Sequence, residues 1–291
     1  MTFNDNARID TSKVQRRRGS RAAVVGGGSL IGVLVLFLAS QLLGFDLTPL
    51  AGIVGGGNQS SEEVVNSDDC KTGAEANTND ECRMIAATDS IDVFWNGQFE
   101  SGYRKPGVVL YTGSTESGCG TASNAVGPFY CPGDESIYVD TSFFSLLRDN
   151  FGASAGSLAQ MYVLAHEWGH HISNITGQLS QVGNDTGPAS GSVRLELQAD
   201  CYAGAWVKDA ATIPDQNGNT FMKPVTREEI ADALNAAAAV GDDNIQKRSG
   251  QRVNPEAFSH GSSEQRQRWF ETGYEQGANA CDTFSVPASS L

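Results

Sequence analysis

Three of the four histidines in this chain fall in one six-residue run, His166-Glu167-Trp168-Gly169-His170-His171. On a helix, at about 100° per residue, His166 and His170 stand about 40° apart on one face, so their imidazoles can converge on one ion. Glu167 then points about 100° from His166, beside the pair but not in line with it. A carboxylate so placed can take a proton from metal-bound water without occupying a coordination site. Catalytic zinc takes three protein ligands and leaves the fourth position to water, so a third ligand must come from elsewhere. The run Arg194-Leu195-Glu196-Leu197-Gln198-Ala199-Asp200-Cys201 offers it, because Glu196 and Asp200, four apart, share a face. Glu196 can complete the ligand set. Asp200 can accept the free ring N–H of a ligand histidine, which fixes the tautomer and raises basicity. Alone, the five-residue histidine pattern matches many unrelated helices, and an acid pair at i, i+4 is an ordinary solvated face. Together, each supplies what the other lacks, and they call for one zinc ion per chain.

Two helices must position these groups. Leu158, Met161, Ala165, Trp168, Ile172 and Ile175 recur at helical spacing, which predicts a helix over 157–175 with Gly177 as its terminator. Gly169, beside His170, leaves room for a second backbone to approach. The ligand Glu196 belongs to a helix predicted over about 190–210, reached through the Gly-rich stretch 177–192. Further helices are expected over 79–99, from a Thr226/Glu229 capping box to about Gly241, and from Ser262 or Ser263 through Tyr274. Val108 to Tyr111 and Ile137 to Val139 read as short strands. The fold class expected is α+β: mostly helical, with a small sheet.

The fourth histidine, His260, directly precedes the last predicted helix. Its proposed role is to hydrogen-bond an oxyanion opposite the metal; spacing alone makes it a loop residue next to a helix cap. His171 points away from His166 and is read as structural or as a support behind the ligands. Asp215-Gln216-Asn217-Gly218-Asn219 is turn chemistry, because it lacks the full ligand pattern of a calcium loop.

Residues 1–21 carry six basic side chains (Arg8, Lys13, Arg16, Arg17, Arg18 and Arg21) against two acidic ones. Residues 22–45 hold no charge and are long enough to span a bilayer as a helix; no Lys or Arg follows until Lys71. By the positive-inside rule residues 1–21 form a cytoplasmic head, 22–45 a transmembrane signal anchor, 46–69 a Gly- and Ser-rich stalk, and 70–291 an extracytoplasmic catalytic domain. A cleaved signal peptide fits less well, since the apolar run is longer than such segments. Gly26-Gly27-Gly28 falls in the span and is no phosphate loop. The chain's net charge of −14 repels nucleic-acid phosphates, which excludes that class of partner. Six cysteines suit an exported protein and allow 15 pairings. The economical choice joins Cys70 to Cys82 and Cys119 to Cys131, leaving Cys201 with Cys281. Cysteine zinc ligands would need tight C-x-x-C pairs, which are absent.

The segments HEWGHH, RLELQADCYAGAW and SHGSSEQRQRWF, with the basic head and apolar run, resemble the bacterial predicted neutral zinc metallopeptidases. The resemblance implies a gluzincin-like fold, with Glu196 as a zinc ligand and Asp200 behind it. The stretch from Asn124 and Ala125 to Val139 is similar to the substrate-aligning edge strand of membrane-linked zinc peptidases. In those enzymes a histidine followed six residues later by arginine supports the site; His260 and Arg266 match, with Gly261 where proline is usual. The function expected is zinc-dependent hydrolysis of a protein or peptide substrate, with Glu167 as general base and the membrane as a partner through the anchor. The alternatives are a catalytically silent zinc-containing envelope binding protein and a zinc-dependent hydrolase of a non-peptide amide.

Overall fold

The computed structural model describes residues 2–18, 63–64, 69–123, 127–144 and 156–291. In chain order the elements are β1 (Gln15–Arg18), β2 (Glu63–Val64), α1 (Gly73–Thr78), α2 (Asp80–Gln98), β3 (Gly107–Thr112), β4 (Ser114–Ser117), β5 (Gly120–Ser123), β6 (Phe129–Cys131) and β7 (Ser136–Asp140). The helices α3 (Ser157–Ile175), α4 (Gly191–Asp209), α5 (Arg227–Ala239), α6 (Asp242–Arg248) and α7 (Ser263–Gln276) follow. The α+β expectation holds. One sheet runs in the order β2-β1-β3-β7-β6, with β1, β3 and β7 parallel and β6 antiparallel at the end; β4 and β5 form a separate hairpin.

Helix α3 lies at the centre because its stripe is apolar. Leu158, Met161, Ala165, Trp168 and Ile172 are buried in one core with Ile85 and Ile91 of α2, Trp206 of α4 and Phe270 of α7. Gly177 ends it at φ 88°, the left-handed conformation expected of that terminator. The Thr226/Glu229 box caps α5, and Ser262 with Gln265 caps α7 in the same way. Helix α4 is held from both sides by close approach. A Cβ on Gly169 of α3 would lie 2.7 Å from the Ala199 Cα, and one on Gly273 of α7 would lie 1.8 Å from the Cys201 carbonyl oxygen. All three expected disulfides form, and Cys201–Cys281 ties α4 to the segment after α7.

The N-terminal segment departs from expectation. Read as a head apart from the catalytic domain, residues 2–18 pack against it. Phe3, Ala7 and Ile9 are buried in the main core, and β1 pairs along the whole of its length with Val109–Thr112 of β3. A run of basic side chains carries a membrane-topology signal, and that signal hid a strand. Among the described residues no helix is long and apolar enough to cross a membrane. The expected span over 22–45, and all but Glu63, Val64 and Asp69 of the expected stalk, lie outside them.

Candidate metal centre

Helices α3 and α4 bring His166, His170 and Glu196 together, with one ligand atom from each within 4.8 Å of the others. His166 Nε2 lies 3.2 Å from one Glu196 carboxylate oxygen and His170 Nε2 lies 3.4 Å from the other. Donors on a tetrahedron with metal bonds of about 2.1 Å stand about 3.4 Å apart, so the spacing suits zinc. The rings cross at 85° with centroids 4.7 Å apart, which lets both nitrogens face one point without stacking. The donor set, two imidazoles and a carboxylate, is that of a catalytic rather than a structural zinc.

Behind the ligands stands a buried polar cluster. His166 Nδ1 is 2.8 Å from an oxygen of Asp200, which is fully buried. The Asp200 carboxyl is held below its usual range: burial pushes it up, but Arg266 and His166 override this. As an ionised carboxylate it only accepts, so Nδ1 carries the proton and Nε2 is the nitrogen aimed at the metal point. Arg266 grips Asp200 with Nε at 2.8 Å and Nη2 at 2.9 Å, a two-bond fork, and the Tyr162 hydroxyl donates to the same carboxylate. Burial would lower the His166 pKa, but the charges and hydrogen bonds of Asp200 and Glu196 outweigh it and push it up to about 10. A cradle that favours positive charge between these side chains is what a cation needs. His170 is pulled down to about 4, chiefly by burial, against the pull of Glu196. Its Nδ1 has no hydrogen-bond partner among the described residues, so Asp200 serves one ligand histidine and not both.

Glu167 follows His166 on α3 and is 9% exposed. Burial pushes its carboxyl up to about 7; His166 and the backbone amide of Tyr130 pull the other way. A carboxyl titrating near neutrality is suited to exchange a proton with water. Tyr130, on β6, is a functional residue that spacing did not reveal. Its hydroxyl is 3.1 Å from His171 Nδ1 and accepts from Asn174 at 2.8 Å. His171 Nε2 donates to the Arg104 carbonyl at 2.7 Å, and burial lowers its pKa, so the ring is neutral and Nδ1 accepts from Tyr130. His171 is structural, as expected, and its task is to fasten β6 to the ligand helix.

His260 sits before α7 in a loop built around Asp242. One Asp242 oxygen accepts the backbone N–H groups of Ser259, His260 and Gly261 at 2.7, 2.7 and 3.0 Å, and the other lies 3.1 Å from His260 Nδ1. The Glu196 charge reaches His260. Burial lowers the His260 pKa, but the Asp242 hydrogen bond and the Glu196 charge outweigh it and raise it above the ordinary imidazole value. Gly261 adopts φ 86°, which the proline usual in similar peptidases cannot reach. Arg266, six residues on, meets the site through Asp200. Asp215 accepts the amides of Asn217 and Asn219, which makes 215–219 the turn expected of it. Asn124 and Ala125 lie outside the described residues.

A family model described as "Putative neutral zinc metallopeptidase" matches residues 3–284. The uncharacterized protein Rv2575 of Mycobacterium tuberculosis is 43% identical over 298 residues, covering 98% of this chain and 99% of its own. The uncharacterized protein YpfJ of Escherichia coli K12 is 35% identical over 299 residues, covering 95% and 97%. No solved structure matches the chain. With this match over nearly its whole length, the chain belongs to the neutral zinc metallopeptidase family.

Proposed function

We propose that this protein is a zinc-dependent endopeptidase acting outside the cytoplasm. One observation carries the reading: His166, His170 and Glu196 present three ligand atoms within 4.8 Å, with the buried carboxyl of Glu167 on the next residue. Zinc bound by these three would polarise the scissile carbonyl and lower the pKa of a water. Glu167 accepts that water's proton and then passes it to the leaving amine nitrogen, so one carboxyl serves both halves of the reaction. His260 donates from Nε2 to the oxygen of the attacked carbonyl as it gains negative charge. Asp200 holds the His166 tautomer and Arg266 holds Asp200; neither touches substrate. The peptide lies extended along β6, which His171 and Tyr130 fix beside α3. The three disulfides support an oxidising compartment.

The test compares full-length wild type with Glu167→Gln, Glu196→Ala and His166→Ala, reading zinc content and cleavage of an unfolded protein substrate. About one zinc per chain is expected in wild type and Glu167→Gln, and loss of zinc in the two ligand variants. Removal of the general base should cost about 10²–10⁴-fold in turnover. A zinc-loaded wild type that cleaves no peptide, or a Glu167→Gln protein as fast as wild type, sinks the reading.

A further inference from the structure

The N-terminal segment is hydrogen-bonded and ion-paired to the domain it lies on at many points. The Phe3 side chain is fully buried, its N–H donates to the Asn77 side-chain oxygen at 2.8 Å, and its carbonyl accepts from the Asn77 amide at 3.0 Å. Asn4 donates its backbone N–H to the Phe221 carbonyl, and the Lys223 N–H returns a bond to the Thr2 carbonyl, both at 2.9 Å. Ile9 and Gly73 exchange further bonds across the cleft, from the Ile9 N–H to the Lys71 carbonyl and from the Gly73 N–H to the Ala7 carbonyl. Asp215 receives the Arg8 amide at 2.7 Å and Asp89 receives the Asp10 amide at 2.9 Å. A Cβ on Gly73 would lie 2.0 Å from the Asn4 carbonyl oxygen, so the absence of a side chain there is needed for the segment to dock.

Three basic residues join these contacts. Lys13 lies 2.7 Å from Asp89 and 2.6 Å from Asp92 of α2, and Arg16 pairs with Glu81 of the same helix. Arg17 donates to the Thr115 hydroxyl and the Glu116 carbonyl, both at 3.1 Å. These are three of the six side chains that suggested a cytoplasmic head, and in the fold Lys13 and Arg16 pair with carboxylates of α2 instead.

We infer that the cleft formed by α1, α2, β3 and the hairpin over 213–222 is the docking site of the chain's own residues 2–18, so that this segment and the zinc site lie on the same side of any membrane. A chain that crossed a membrane once between Arg18 and Glu63 would separate the two, strip β3 of its β1 partner and leave the Phe3 pocket and the α2 carboxylates without their occupants. The expected topology, with the N-terminus inside and the domain outside, is incompatible with the docked segment. This inference is independent of the catalytic reading, since the centre is built by α3, α4 and the loop before α7.

The test uses the full chain in whole cells. Single-cysteine variants Asn6→Cys and Gln216→Cys, both at exposed positions, are probed with a charged, membrane-impermeant maleimide before and after permeabilisation. The two sites are expected to label under the same condition. Labelling of one site in intact cells and of the other only after permeabilisation overturns the inference. So does a mature chain from which residue 6 has been removed. Docking itself is read on purified protein: Gly73→Val should lower Tm and expose Arg16 and Arg17 to trypsin at least 10-fold faster, with zinc content unchanged. Wild-type Tm and cleavage rate in that variant also overturn it.

Discussion

At the scale of single residues, the candidate centre rests on side chains outside the His166, His170 and Glu196 set. Asp200 receives His166, Arg266 and Tyr162 at once, and all four are buried. Replacing it by asparagine keeps the shape but removes the charge that fixes His166 and answers Arg266. Zinc affinity in Asp200→Asn is expected to fall about 10–100-fold with the fold retained, measured by competition with a chelator. Unchanged affinity would remove Asp200 from the site. Asp200, Glu196 and the histidines were legible because each pair sits at i, i+4 on one helix. Tyr162 carries the same signal, four residues before His166, but an aromatic on an apolar stripe reads as core. Asp242 and Tyr130 had no such signal, since their partners lie 18 and 41 residues away along the chain.

At the scale of elements, ligand geometry is set by how closely α3 and α4 approach. Gly169 makes that possible, and no side chain fits against the Ala199 backbone. Gly169→Val is expected to force the helices apart, costing about 1–3 kcal/mol of stability. It should also separate Glu196 from His166 and His170. Lost zinc together with a lowered Tm is the predicted pair of readouts; full zinc occupancy would show that the approach is not what sets the site. Strand β6 shows what residue patterning alone, without the resemblance, could not reach. Three residues beside a disulfide carry too short a pattern to announce a strand, and its place at the end of the sheet comes from pairing with β7.

At the scale of the whole molecule, the N-terminal segment and residues 213–222 are stitched together through Asp215. Burial would raise the Asp215 pKa, but the amides of Arg8, Asn219 and Asn217 override this and hold it below its ordinary value. A folded-state pKa below the unfolded one gives stability that is present above the unfolded value of about 3.9 and lost as pH falls through the folded one. Asp215→Asn should therefore be less stable than wild type at pH 7, with the gap closing as pH drops to about 3. Melting curves at both pH values check this, and a gap that widens in acid would refute the assignment.

The sequence by itself determined the cluster of His166, His170 and Glu196, the place of Glu167 beside it, the helices that bear these residues and the cysteine pairing. Each of those rests on local periodicity or on short spacing, and both survive in a linear string. The tertiary structure decided that Asp242 builds the His260 loop, that His171 and Tyr130 fasten β6 to α3, and that residues 2–18 fold into the domain. These depend on contacts between distant segments, where the partner's identity sets the meaning of a residue. Arg16 read in isolation is a topology signal; Arg16 against Glu81 is half of an ion pair.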